Sequence, residues 1–133
     1  MDWTRGRFLV TTSPEAMDMV FVTESLQALW RRVASRESIE KALKNSLCFA
    51  LFDSGKQVGF VRAVSDHTFV SWVCDLFVDP TYQNKGLGRW LMECLSEHPD
   101  LSGTRLVFSA TSAACAFYEH LGYLPMQRGY SNT

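Results

Sequence analysis

Residues 73–91, VCDLFVDPTYQNKGLGRWL, read as an apolar strand, a tight turn at Asp79-Pro80, a short loop and the start of an amphipathic helix. The loop carries a Q-x-x-G-x-G pattern from Gln83 to Gly88. A strand that runs into a glycine-bearing helix start leaves the first backbone N–H groups unpaired and converging, with the positive end of the helix dipole behind them. The result is an anion cradle. Gly86 and Gly88 bring no side chain to block the approach of phosphate oxygens, and Lys85 adds positive charge at the rim. Two common phosphate motifs fail on their letters. No G-x-x-x-x-G-K-[ST] run exists, and Leu91 stands where G-x-G-x-x-G needs its third glycine. Nucleotide hydrolysis and nicotinamide binding lose their usual signatures.

Composition bounds the rest. A chain of 133 residues fits one domain with one core, and 47% hydrophobic with 20% charged residues fits a globular protein. The formal net charge of -1 gives no electrostatic reason to bind nucleic acid or an anionic membrane. No apolar signal segment follows Met1 to Arg7 and no apolar run is of bilayer length, so the cytoplasm is the expected compartment. Cys48, Cys74, Cys94 and Cys115 are scattered without C-x-x-C spacing, which predicts small core residues in a reducing compartment. His67, His98 and His120 share no ligand spacing, so no metal is expected.

In chain order, Arg7 to Thr12 reads as a first strand, and Ser13-Pro14-Glu15 as a helix start with serine as its cap. Met19, Val22, Leu26, Leu29 and Trp30 then recur at helical spacing, and a second short helix runs from Arg36 to Asn45. Leu47 to Phe52, Gln57 to Ser65 and Phe69 to Val78 form a three-strand meander that delivers the chain to the glycine loop. The third helix spans Gly86 to Glu97 and stops at His98-Pro99. A strand from Thr104 to Ser109, a helix from Ser112 to Leu121 capped by Gly122, and an extended piece from Tyr123 complete the chain. The predicted class is mixed α/β, a mostly antiparallel sheet flanked by helices in the order β-α-α-β-β-β-α-β-α-β.

Downstream of the glycine loop stands Ala116-Phe117-Tyr118-Glu119-His120-Leu121-Gly122-Tyr123. The two segments, in this order and with a strand between them, resemble the GNAT superfamily of acyl-CoA-dependent N-acyltransferases. That family's pyrophosphate loop reads [QR]-x-x-G-x-[GA], and its later helix ends in an A-x-x-F-Y-x-x-L-G-[FY]-like run. The resemblance implies the same succession of elements, acetyl-CoA as co-substrate, and a central strand that splays from its neighbour. Carried over, the backbone of Leu76, Phe77 and Val78 pairs with the pantetheine arm. The amides of Lys85, Gly86, Leu87, Gly88 and Arg89 hold the pyrophosphate, with Gln83 at the loop entrance. Thr111 falls where many relatives place an asparagine for the pantetheine, with a shorter reach.

The chemistry makes its own demands. An amine with pKa near 10 is only about a thousandth neutral at pH 7, so a proton must be removed or the scarce neutral form bound. Asp75, read between Val73 and Phe77 on one side of an apolar strand, is the candidate base, with a water chain as the other route. The resemblance assigns Tyr118 the proton for the departing thiolate. It also sets Trp30 and Arg31 beside the acceptor, which is a small-molecule amine or a peptide amine. Residues 123–133 leave little room for a closing hairpin, so one wall of the acceptor site is expected to be missing or supplied by the partner in a homodimer. The alternative function is an acyl-CoA-binding sensor or interaction module without turnover.

Overall fold

The computed structural model describes residues 1–30, 34–126 and 130–132. Its strands are β1 (Asp2–Arg5), β2 (Phe8–Thr11), β3 (Leu47–Asp53), β4 (Lys56–Ser65), β5 (Val70–Val78) and β6 (Arg105–Val107). Its helices are α1 (Met19–Trp30), α2 (Arg36–Lys44), α3 (Leu87–Glu97) and α4 (Cys115–His120). The strands lie side by side in chain order, antiparallel from β1 to β5, with β6 parallel to β5. The mixed α/β sheet flanked by helices is the expected class.

Burial explains the layers. β3 is buried from Cys48 to Phe52 because helices cover both faces of the sheet. On one face Leu87, Trp90, Leu91 and Leu95 of α3 meet Phe49, Leu51, Val61 and Val73. On the other, Val22 and Leu26 of α1 and Ile39 of α2 meet Cys48 and Phe60. Gly59 lets α3 lie close: a Cβ there would stand 3.0 Å from Leu51 Cδ2 and 3.3 Å from Leu91 Cδ1.

Three local expectations are corrected. The first strand is one arm of a hairpin, since β1 precedes it and turns through Gly6 at φ 59°. β1 is short and mostly exposed, so its sequence carries no alternation to read. The first helix does not start at Ser13, whose side chain caps nothing and instead bonds Glu15. A 3₁₀ turn at Pro14–Ala16 comes first, and α1 starts after Asp18, whose Oδ1 accepts from Val20 N and Phe21 N. Finally, the described residues 123–126 join no strand. Pro125 there has no N–H to give to a ladder. The meander, α2, α3 and the left-handed Gly122 (φ 93°) stand as expected, each within a residue or so.

Candidate active site

The glycine loop ends in an uncapped helix. Gly86 precedes α3 in the left-handed region (φ 77°, ψ 11°) and offers no side-chain oxygen. The first helical bond runs from Trp90 N to Gly86 O at 3.1 Å, so the amides of Leu87, Gly88 and Arg89 come before the ladder and find no acceptor among the described residues. Around them the loop is tied down. Gln83 Nε2 donates to the Val78 carbonyl at 2.9 Å, which binds the loop to the end of β5. Asp79 Oδ1 accepts from Thr81 N, and the Tyr82 hydroxyl donates to Asp53 Oδ2 at 2.6 Å. That last bond holds the Asp53 carboxyl below its ordinary range and the Tyr82 phenol above its own. Lys85 Nζ rests 5.4 Å from the centroid of the Tyr82 ring.

Beside this loop the sheet opens. β6 pairs with β5 only from Val70↔Arg105 to Trp72↔Val107, so β5 from Val73 to Val78 has β4 on one side and no described strand on the other. The backbone of Leu76, Phe77 and Val78 borders that opening. α4 closes the corner: the place where a Gly88 Cβ would sit is 3.5 Å from the Phe117 ring and 3.9 Å from Val78 Cγ2. Gly88, Val78 and α4 are therefore gathered at one point. Thr111, exposed, heads the short 3₁₀ turn Ser112–Ala114 before α4, and its hydroxyl caps nothing.

Asp75 departs from its expected surroundings. The register jumps from Phe60↔Phe77 to Arg62↔Cys74, a bulge in β5, and Asp75 takes φ 61°, a left-handed value that aspartate tolerates better than most residues. The bulge breaks the alternation assumed for this strand: Val73 packs with α3, whereas Phe77 packs against Phe21 and Phe60 on the opposite face. Asp75 itself meets a charge. Arg62 Nε donates to its Oδ2 at 2.6 Å, Arg62 Nη1 donates to Ser46 Oγ at 2.9 Å, and the Asp75 side chain is only 4% exposed. Sequence reasoning missed Arg62, although a lone guanidinium inside the apolar run Val58 to Val64 calls for a buried partner.

Tyr118 is half-buried, with its ring 4.4 Å from Phe108 and 6.4 Å from Tyr123. Burial first, then the Tyr123 phenol, pushes its pKa above the ordinary value. It borders a cavity of about 540 Å³ along β6, whereas Asp75 borders another of about 310 Å³ under α1 and α2. The two candidate catalytic groups thus line different cavities among the described residues. The Trp30 side chain and Arg31 lie outside the described residues. Among the described residues no cluster of His, Cys, Asp or Glu has metal-binding geometry, and no helix is long and apolar enough to cross a membrane. All four cysteines are free thiols, and burial pushes Cys48 up to about 11 and Cys94 up to about 12.

Known proteins resemble this chain. A family model described as an acetyltransferase (GNAT) domain matches residues 44–125. Serotonin N-acetyltransferase 2, chloroplastic, of Oryza sativa subsp. japonica is 32% identical over 87% of this chain and 61% of its own. Histone acetyltransferase TAP1 of Glycine max is 35% identical over 74% of this chain and 50% of its own. The chain thus spans only part of the length of these curated relatives. A crystal structure described as belonging to the GNAT family, from Xanthomonas campestris pv. campestris, superposes with a TM-score of 0.82 at 32% identity, covering 90% of this chain and 86% of that one.

Proposed function

This chain belongs to the GNAT acetyltransferase family, and we propose that it moves an acetyl group from acetyl-CoA to a primary amine by direct attack of the amine on the thioester. The observation that carries this reading is the open start of α3, where three amides find no acceptor among the described residues, beside a β5 edge that β6 leaves free. These features suit a diphosphate followed by an amide-bearing arm. Phosphate oxygens satisfy the amides of Leu87, Gly88 and Arg89, with Lys85 and Gly86 completing the turn, and the arm pairs with Leu76, Phe77 and Val78 as another strand would. Gln83 keeps loop and strand together, and the Thr111 hydroxyl is assigned to the arm.

Acetyl-CoA supplies the activated acyl group. To Tyr118 we assign the proton that the departing sulfur takes up, a contribution of about 10² to 10⁴ in rate. The phenol is protonated at neutral pH, as a proton donor must be. Asp75 is assigned the proton lost by the amine, directly or through water, with Arg62 and the bulge fixing its carboxylate. Trp30 and Arg31 are assigned to the acceptor. We further assign all 133 residues to one catalytic domain working in the cytoplasm.

Acetyl-CoA is expected to raise the melting temperature while NAD and ATP leave it unchanged, and an amine is expected to trigger thiol release. Tyr118→Phe should keep acetyl-CoA affinity and lower kcat by about 10² or more. On the alkaline side the parent's kcat should fall only as pH rises past 10.0, the ordinary phenol value, because a general acid works while protonated. Acetyl-CoA binding without thiol release from any amine would identify a sensor instead of an enzyme.

A further inference from the structure

The cavity of about 310 Å³ beneath α1 and α2 is walled by Leu26, Ile39 and Ala42, floored by the Arg62–Asp75 ion pair, and edged by Ser38. Building on the acetyl-transfer reading, we propose that this cavity receives the acceptor, and that the acceptor is a small monoamine with an apolar or aromatic body, not a polyamine or an aminosugar. Position is the first ground. Asp75, which lines the cavity, precedes Leu76, the start of the stretch of β5 assigned to the acyl-bearing arm, so the cavity adjoins the place assigned to that arm.

Charge is the second ground. A polycation gains affinity where several carboxylates face it. Among the described residues the lining offers one carboxylate, and Arg62 engages it at 2.6 Å. Among the described lining residues a second ammonium on the acceptor would find no further carboxylate. Surface and size are the third. Arg62 pairs with Cys74 across the sheet, and the next pair outward on that face is Val64 with Trp72, each 45% exposed, so apolar surface continues beyond the rim. A volume of about 310 Å³ lies at the low end for ligand pockets and suits a body of one or two fused rings. In the transfer the amine nitrogen forms the new N–C bond, the C–S bond breaks, and CoA leaves as the thiol while the nitrogen gives up one proton.

The test uses the full chain with acetyl-CoA and three amines: 2-phenylethylamine, spermidine and kanamycin. Thiol release should give 2-phenylethylamine a kcat/KM at least about tenfold above the other two, the scale of discrimination an apolar pocket supplies. Calorimetric titration of the CoA-loaded protein should rank the amines in the same order. Ala42→Phe fills the cavity and should lower kcat/KM for 2-phenylethylamine at least about tenfold while the thermal shift with acetyl-CoA is kept. Ser38→Asp puts a carboxylate at the rim, in the first turn of α2 where acids are tolerated, and should raise the relative rate with spermidine. Spermidine or kanamycin matching 2-phenylethylamine would overturn the acceptor class and leave acetyl transfer standing. Indifference to both variants would remove the acceptor from this cavity. Absence of thiol release with all three amines would overturn the inference, and its absence with every amine tried, peptide amines included, would overturn the reading beneath it as well.

Discussion

Helices α1 and α3 both begin where the chain leaves extended backbone, but α1 closes its first amides with its own oxygen and α3 leaves them open. Asp18 Oδ1 accepts from Val20 N at 3.1 Å and from Phe21 N at 3.2 Å, whereas Gly86 has no side chain to offer. α2 follows α1, with Ser35 Oγ accepting from Ser38 N at 3.1 Å. Glycine at a cap position costs only about a few tenths of a kcal/mol, so the loop fixed by Asp79, Tyr82 and Gln83 carries an open helix start at little expense to the fold, and its amides are the ones the proposed function gives to phosphate oxygens.

The sharpest way to break this contrast is Gly86→Val. A β-branched residue is strained at φ 77°, so the loop must rearrange and the three amides lose their common aim. Each lost amide–phosphate bond costs about 1.5–3 kcal/mol, so the Kd for acetyl-CoA should rise at least about tenfold when one is lost and at least about 100-fold when two are lost. Gly86→Asn, which tolerates the left-handed region, should keep most of the affinity. Circular dichroism should report the same fold for both variants, and Gly86→Val binding acetyl-CoA as tightly as its parent would refute the assignment.

Removing a cap should do the opposite. Asp18→Ala deprives two amides and Ser35→Ala one, so denaturant unfolding should show a loss of about 1–2 kcal/mol for the first and about 1 kcal/mol or less for the second. Acetyl-CoA affinity should stay unchanged in both. A stability loss at α1 or α2 accompanied by weaker cofactor binding would mean that the two kinds of helix start are not separate in purpose.

How far the sequence could be read follows from the range of the forces involved. The α3 start was legible because it depends on local letters: an apolar strand, a loop with Gly86 and Gly88, and an amphipathic face carrying Leu87, Leu91 and Leu95. The opening beside β5 entered only through the family resemblance, since nothing in residues 70–78 says how far β6 will pair. The surroundings of Asp75 were misread for a related reason. Strict alternation presumes a regular strand, and the bulge at Asp75 is set by a partner thirteen positions back, Arg62, on another strand. β1 was missed because an exposed edge strand has no buried face to impose a period.

α3 offers one more contrast, between its own two ends. Its start is open, whereas its end is sealed: His98 N donates to Cys94 O and Leu95 O, and the His98 ring packs 5.7 Å from Phe49 and 6.3 Å from Trp3. His98 Nδ1 accepts from Asp100 N at 3.1 Å, so this nitrogen must be unprotonated in the fold. Burial lowers the His98 pKa below its ordinary 6.5, so the folded form resists taking up the proton that the unfolded chain accepts. Its contribution to stability is complete above pH 6.5 and is lost as pH falls through the lowered value. Melting temperature should therefore decline on the acid side of neutrality, and His98→Asn should flatten that part of the profile even if it lowers stability throughout. The effect should be smaller than the loss of either cap and should leave acetyl-CoA affinity at neutral pH untouched, because the sealed end of α3 and its open end act through different atoms. Should His98→Asn weaken cofactor binding as much as Gly86→Val, the two ends of the helix would be coupled, and the open start would owe its geometry to the core at the far end as well as to the loop.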